Sequence, residues 1–299
     1  MERFFHALLH SLEHAGLEAL TLLPFLYLTY LGMELLERYA GERAQRVISR
    51  SGKAGPALGA LLGVVPQCGF SAAGSGLYAG RIITTGTLLA IFLSTSDEML
   101  PLLISSGAPL PQILKILGIK VAVAALAGFG VDLLTRAVMR RRGVEPRPVQ
   151  IGEMCRTEHC DCDSRPIWLA SLIHTLSIAV TVFTVSLLLH TTLELVGEDA
   201  LAGFIGSTPV LGCLLAAIVG LIPNCAASVA ITTLYLEGVL STGAMLSGLL
   251  VGAGVGLLVL FRVNRPVRDS LRVTLLLFVI GVIVGLVFDL TGLGALLGI

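Results

Sequence analysis

Charge is what this sequence has least of. Only 13% of its residues are Asp, Glu, Lys or Arg, about half the roughly 25% carried by soluble domains. With 55% apolar residues and a mean hydropathy of +0.90, the chain is too greasy for one water-soluble core, which excludes an ordinary soluble domain. Neither sign prevails, since 20 Lys and Arg balance 20 Asp and Glu, so no basic surface invites nucleic acid. A P-loop is missing, which excludes that route to nucleotide-driven work, and so are HExxH and GxSxG. The chain is therefore expected not to be an enzyme and to require no cofactor beyond a metal ion it carries as substrate. The opening MERFFHALLHSLEHAG lacks the apolar core and small-residue cleavage site of a leader. Residues 1–16 are expected to form an external amphipathic helix lying at the membrane surface. The six cysteines do not suggest disulfides, because three lie within eight residues of one linker and the rest in or near apolar segments.

What is abundant is apolar runs long enough to cross a bilayer, about 20 residues each. They fall at about 17–37, 55–80, 83–105, 112–136, 167–196, 209–236, 240–261 and 271–297. Together they predict an all-α polytopic membrane protein: repeat 1 at 17–136, a cytoplasmic linker at 137–166 and repeat 2 at 167–299.

The division into repeats rests on self-similarity at an offset of 157 residues. PQCGFSAA at Pro66–Ala73 lies over PNCAASVA at Pro223–Ala230, Leu77-Tyr78 over Leu234-Tyr235, and Thr85-Gly86 over Thr242-Gly243. Twelve of thirty-five positions are identical between 56–90 and 213–247, where chance matching of chains this apolar gives roughly a tenth. The register carries outward to Lys115 over Arg272 and Asp132 over Asp289.

Positive charge crowds 38–55, 136–166 and 262–272 and is absent from 106–111 and 197–208. The first group is expected to be cytoplasmic and the second external, with both termini external. Matching loops of the two halves then lie on opposite sides, an inverted-topology repeat with an odd number of crossings per half. Three full helices plus a re-entrant hairpin satisfy this, and so do five spans.

In 55–80 and 213–236, about ten apolar residues precede Pro-Gln-Cys or Pro-Asn-Cys and about ten follow. Proline breaks a helix, and unwound backbone in a membrane must be buried or line a cavity. Paired interruptions at matching places point to a transporter's binding site. The candidate substrate ligands there are Gln67, Cys68, Ser71, Asn224, Cys225 and Ser228, with Pro66 and Pro223 as the structural helix breaks. Small residues such as Ser71 and Ser228 equally suit close helix packing.

Ser94-Thr95-Ser96-Asp97-Glu98 lies within the 83–105 segment, where the second half has Val251-Gly252-Ala253-Gly254-Val255. Intramembrane acids are costly and read as functional, so Ser96, Asp97 and Glu98 join the candidate site; the alternative is that the acids snorkel to the external end. Lys120 is their candidate ion-pair partner and a coupling group. His174 is a weaker cavity candidate. Two peripheral clusters suggest auxiliary metal binding: Cys155, His159, Cys160 and Cys162 in the linker, and His6, His10 and His14 on one helical face. A polar linker with reduced cysteines and an interfacial polar stripe are the alternatives.

The duplicated P-[QN]-C-x-x-S motif, the TG-containing helix after it and the STSDEM stretch resemble a family of bacterial proteins described as ten-transmembrane-helix heavy-metal exporters. Its members also carry labels such as arsenic efflux protein and manganese transporter. The resemblance covers nearly the whole chain and implies metal or metalloid efflux across the bacterial inner membrane. By motif match it carries over to Pro66, Gln67, Cys68, Ser71, Ser96, Asp97, Pro223, Asn224, Cys225 and Ser228.

Three functions remain open from the residues: export of a divalent cation, with Mn(II) favoured by the carboxylate and amide oxygens; an arsenite or organoarsenical permease using Cys68 and Cys225; and an anion transporter or channel using the hairpin tips. The expected partners are the lipid bilayer and a small inorganic ion, and a homo-oligomer is compatible with the pattern.

Overall fold

The structure is a computed structural model of the chain. It describes residues 54–65, 68–96, 99–142, 166–196, 209–297 and 299, with residues 12, 16, 17, 20, 23, 24, 26–28 and 30–32 near the start. Among the described residues the regular structure is helical throughout, with no strand. The helices with defined bounds are α1 (Gly55–Gly63), α2 (Cys68–Ala79), α3 (Thr85–Ser94), α4 (Met99–Ser105), α5 (Leu110–Arg142), α6 (Ile167–Val196), α7 (Pro209–Gly220), α8 (Cys225–Leu236), α9 (Thr242–Val251), α10 (Val255–Val263), α11 (Val267–Thr291) and α12 (Leu293–Leu297).

Five stretches are long and apolar enough to cross a membrane: Thr85–Ser105, Leu110–Arg141, Ile167–Thr184, Thr242–Val263 and Val267–Thr291. The first and fourth are each two helices in series, α3–α4 and α9–α10, and their most apolar windows are 75% and 78% buried. The other three are only 28%, 25% and 33% buried, so they form the perimeter around a broken-helix centre. Large apolar side chains on that perimeter stand open, among them Leu126, Leu133, Leu275 and Leu290. Apolar surface on this scale fits lipid rather than water: the chain is an all-α membrane protein.

The sequence explains the helix starts. Thr84 and Ser241 cap α3 and α9, accepting hydrogen bonds from Thr87 N and Ala244 N, both at 3.1 Å. Each cap is held by an aspartate from the long helix that follows. Thr84 Oγ1 donates to Asp132 Oδ2 and Ser241 Oγ to Asp289 Oδ2, both at 2.6 Å. The N–H groups of Gly86 and Gly243 donate to the other oxygens of those carboxylates, both at 2.8 Å. Glycine is required at both places, because a Cβ on Gly86 or Gly243 would collide with the carbonyl of Gly128 or Gly285. All of these partners are related by the 157-residue offset.

Contacts along α3 fix the direction of its neighbours. Gly59 meets Thr87 and Gly63 meets Ser94, so α1 runs parallel to α3. Gly74 meets Ile91 and Leu88, and Tyr78 Oη lies 3.3 Å from Thr85 Oγ1, so α2 runs back the other way. The chain thus reverses between α1 and α2 and returns to the end it came from. In the second half Ala216 meets Gly248 and Gly220 approaches Gly252 along α7, while Ile231 of α8 meets Gly248.

The returning arms cross between halves. Ser75 of α2 donates to the Gly256 carbonyl of α10 at 2.6 Å, and α8 packs against α4. Leu26 and Tyr30, near the chain start, join Ala72, Ile178, Val182 and the α10 residues Val255, Val259 and Val263 in one cluster.

Candidate functional site

Four interruptions of helical structure converge at the centre. Two are the turns between α1 and α2 and between α7 and α8; two are the breaks that open at Thr95 after α3 and at 252–254 between α9 and α10. Gly63 sits on Ser94 and Ile91, bringing the first turn to the first gap, while Ser71, just past that turn, sits on Gly256, just past the second gap. The second turn shares a small cavity with both gaps, lined by Thr95, Ser96, Lys120, Asn224, Ser228 and Gly252 among others. Its volume is about 20 Å³, the room of roughly one water.

Lys120 is fully buried on α5. Its ammonium donates to the carbonyl of Thr95, the C-cap of α3, and to that of Leu249 in the last turn of α9, the latter at 3.1 Å. Helix C-termini carry partial negative charge, so the cation joins the ends of two broken helices, one from each half. The matching position in the second half is Leu277, also fully buried. The lysine is thus a one-sided feature of a two-sided centre.

Asn224 is buried and caps α8, its Oδ1 accepting from Ala226 N at 3.0 Å. Pro223 stands at the turn before it. Cys68 and Cys225 are the first residues of α2 and α8, at the start of each returning arm. Ser228 lines the cavity, and Ser96 is buried beside it with Oγ donating to Ser94 O at 2.9 Å. Ser71 packs against α10, where a Cβ on Gly256 would stand 2.7 Å from its own Cβ. Pro66, Gln67, Asp97 and Glu98 lie outside the described residues, as do His6, His10, His14, Cys155, His159, Cys160 and Cys162. Among the described residues, no group of three His, Cys, Asp or Glu side chains is placed to hold a metal ion.

Sequence reading missed two parts of this arrangement. It took 240–261 as an unbroken segment, whereas the backbone breaks at Gly252 and at Gly254, which has φ 52° and ψ −140°. The glycines of V-G-A-G-V at the register position of the STSDE stretch were the available signal. It also used Asp132 and Asp289 only as register marks, although an aspartate 46 residues after a T-x-G or S-x-G helix start recurs in both halves.

Cations gather at one end of the bundle. Arg81 reaches the Arg265 carbonyl at 3.2 Å, and Arg136, Arg140 and Arg141 continue α5 beyond Asp132 toward that end. Gln112 lies twenty residues before Asp132 on α5, about 30 Å away at 1.5 Å per residue. Compared with known proteins, the chain matches no family model, no curated protein and no solved structure.

Proposed function

We propose that the chain is an inner-membrane secondary transporter that exports a metal cation, Mn(II) favoured, through the cavity that the second hairpin turn shares with both helix breaks. In this reading the two halves form an inverted-topology repeat, and the arginine-rich end faces the cytoplasm by the positive-inside rule. The observation that carries the proposal is the convergence of one hairpin turn and two broken helices on a buried ammonium, with the other hairpin turn packed against the first break. Unwound backbone at membrane depth exposes carbonyls and helix ends that serve ions. Lys120 already takes two such carbonyls, as a coupling cation would, and is assigned that coupling role. Asp97 and Glu98, directly after the cavity residues Thr95 and Ser96, supply the negative charge that offsets a divalent ion's lost hydration.

A second reading, an arsenite or organoarsenical permease, draws on Cys68 and Cys225 standing at the start of both returning arms. Three variants separate the two in metal-loaded proteoliposomes, at matched expression and two pH values. Under the cation reading Asp97→Asn abolishes flux, while Cys68→Ser and Cys225→Ser keep part of it with weaker soft-ion selectivity. Dead cysteine variants beside an active Asp97→Asn would sink the Mn(II) assignment and favour arsenic.

A further inference from the structure

The two halves meet at two contacts related by the 157-residue offset, and the contacts differ in charge. Tyr78, at the end of α2, donates to Asp269 Oδ2 in the first turn of α11 at 3.0 Å. Its counterpart Tyr235, at the end of α8, accepts from Gln112 Nε2 in the first turn of α5 at 3.2 Å. Each contact ties a hairpin exit of one half to the last long helix of the other. They sit at opposite ends of the bundle, about 30 Å apart by the helix rise.

Only the first contact is ionic. Arg81 Nη1 lies 2.8 Å from Asp269 Oδ2, Arg81 Nη2 donates to Arg265 O at 3.2 Å, and the guanidinium stands 5.3 Å from the Tyr78 ring centroid. The offset places Arg81 over Gly238 and Asp269 over Gln112. Both charged residues thus replace neutral counterparts at the same contact. Arg81 also holds φ 59°, a left-handed conformation that Gly238 adopts freely at φ 75°. An arginine kept in a glycine's backbone conformation, with its guanidinium engaged on three sides, marks a contact under functional constraint.

We propose that Arg81–Asp269 is a charge lock that holds the arginine-rich face of the molecule shut, with Gln112–Tyr235 the weaker latch on the opposite face. This rests on the transporter reading above. Both contacts are formed here, one toward each end of the bundle, with the cavity residues between them along the chain's long helices. The charge-assisted side is the harder to open, so thermal opening favours the other face.

The test uses the second half's own residues. Arg81→Gly with Asp269→Gln makes the two contacts alike and relieves the left-handed arginine, so loss of folding is not the expected consequence. Ser228→Cys, in a chain whose six natural cysteines are alanine, reports access to the cavity by its reaction with a membrane-impermeant maleimide. Right-side-out and inside-out vesicles give the rate from each face. The parent chain is expected to label slowly from the arginine-rich face. The double variant should raise that rate roughly tenfold and bring the two faces within about twofold of each other. Arg81→Asp with Asp269→Arg should restore the slow rate, and Gln112→Ala should raise labelling from the opposite face alone. Unchanged rates from the arginine-rich face, or equal rises from both faces, overturn the lock. Metal flux by the native chain, set beside the labelling of the double variant, separates the two proposals. Flux without a labelling shift removes the lock and keeps the transporter; a labelling shift without flux of any ion keeps the lock and removes the transporter.

Discussion

At the scale of single residues, the aspartate clamps show what a sequence hides. Asp132 and Asp289 are visible as matching letters, but their partners lie 46 residues away on another helix and emerge only when α3 packs on α5 and α9 on α11. The clamp yields a firm expectation. Asp289→Ala leaves the buried Gly243 N–H without its acceptor and frees the exposed Ser241 hydroxyl, and a buried group so stranded costs about 1–3 kcal/mol. Gly243→Ala forces a methyl into the Gly285 carbonyl and should cost a similar 1–3 kcal/mol. Gly118, with nothing within 4 Å of its added Cβ, is the control, and Gly118→Ala should be neutral. Thermal unfolding midpoints of detergent-purified variants check all three. A Gly243→Ala midpoint equal to the parent's would show that α9 and α11 can part at no cost.

At the scale of elements, the divisions between α1 and α2 and between α7 and α8 were legible because proline and an amide punctuate an apolar run twice; whether each pair forms a hairpin or two spans was not. The helix extents were legible too: 83–105 and 167–196 correspond to the span Thr85–Ser105 and helix Ile167–Val196. The breaks inside α3–α4 and α9–α10 were not, because no proline marks them and glycine is common in membrane helices. The second break depends on Gly254, whose φ of 52° with ψ of −140° is open to glycine and almost nothing else. Gly254→Ala should therefore cost about 1–3 kcal/mol and shift the start of α10, which carries the Gly256 carbonyl that Ser75 binds. The readout is metal flux together with the unfolding midpoint. Full flux at an unchanged midpoint would mean that the break is incidental.

At the scale of the whole molecule, neither half closes its own core. The arm α2 rests on α10 and the arm α8 on α4, so each half lends a helix to the other. Residues 1–150 and 151–299, expressed as separate chains, should each be degraded alone, yet co-purify as a stable pair when made together. A first half that accumulates alone, folded and monodisperse, would contradict this exchange. That interlocking was beyond sequence reading: an offset of 157 residues says that two segments are alike, and nothing about which partner each one faces.

The glycine contacts also govern what can move. Where the backbones of α3 and α5 meet at Gly86 and Gly128, and those of α9 and α11 at Gly243 and Gly285, neither pair can roll without driving carbonyl into carbonyl. Gly59 and Gly63 seat α1 on α3 the same way, and Gly220 and Gly248 seat α7 on α9. Kinematically the molecule reduces to two stiff plates, α1–α3–α5 and α7–α9–α11, bridged by two arms that each belong by chain to one plate and by contact to the other half. If the chain transports as proposed, such a linkage should move as a see-saw of plate against plate about the centre where Lys120 sits, opening one rim as it shuts the other.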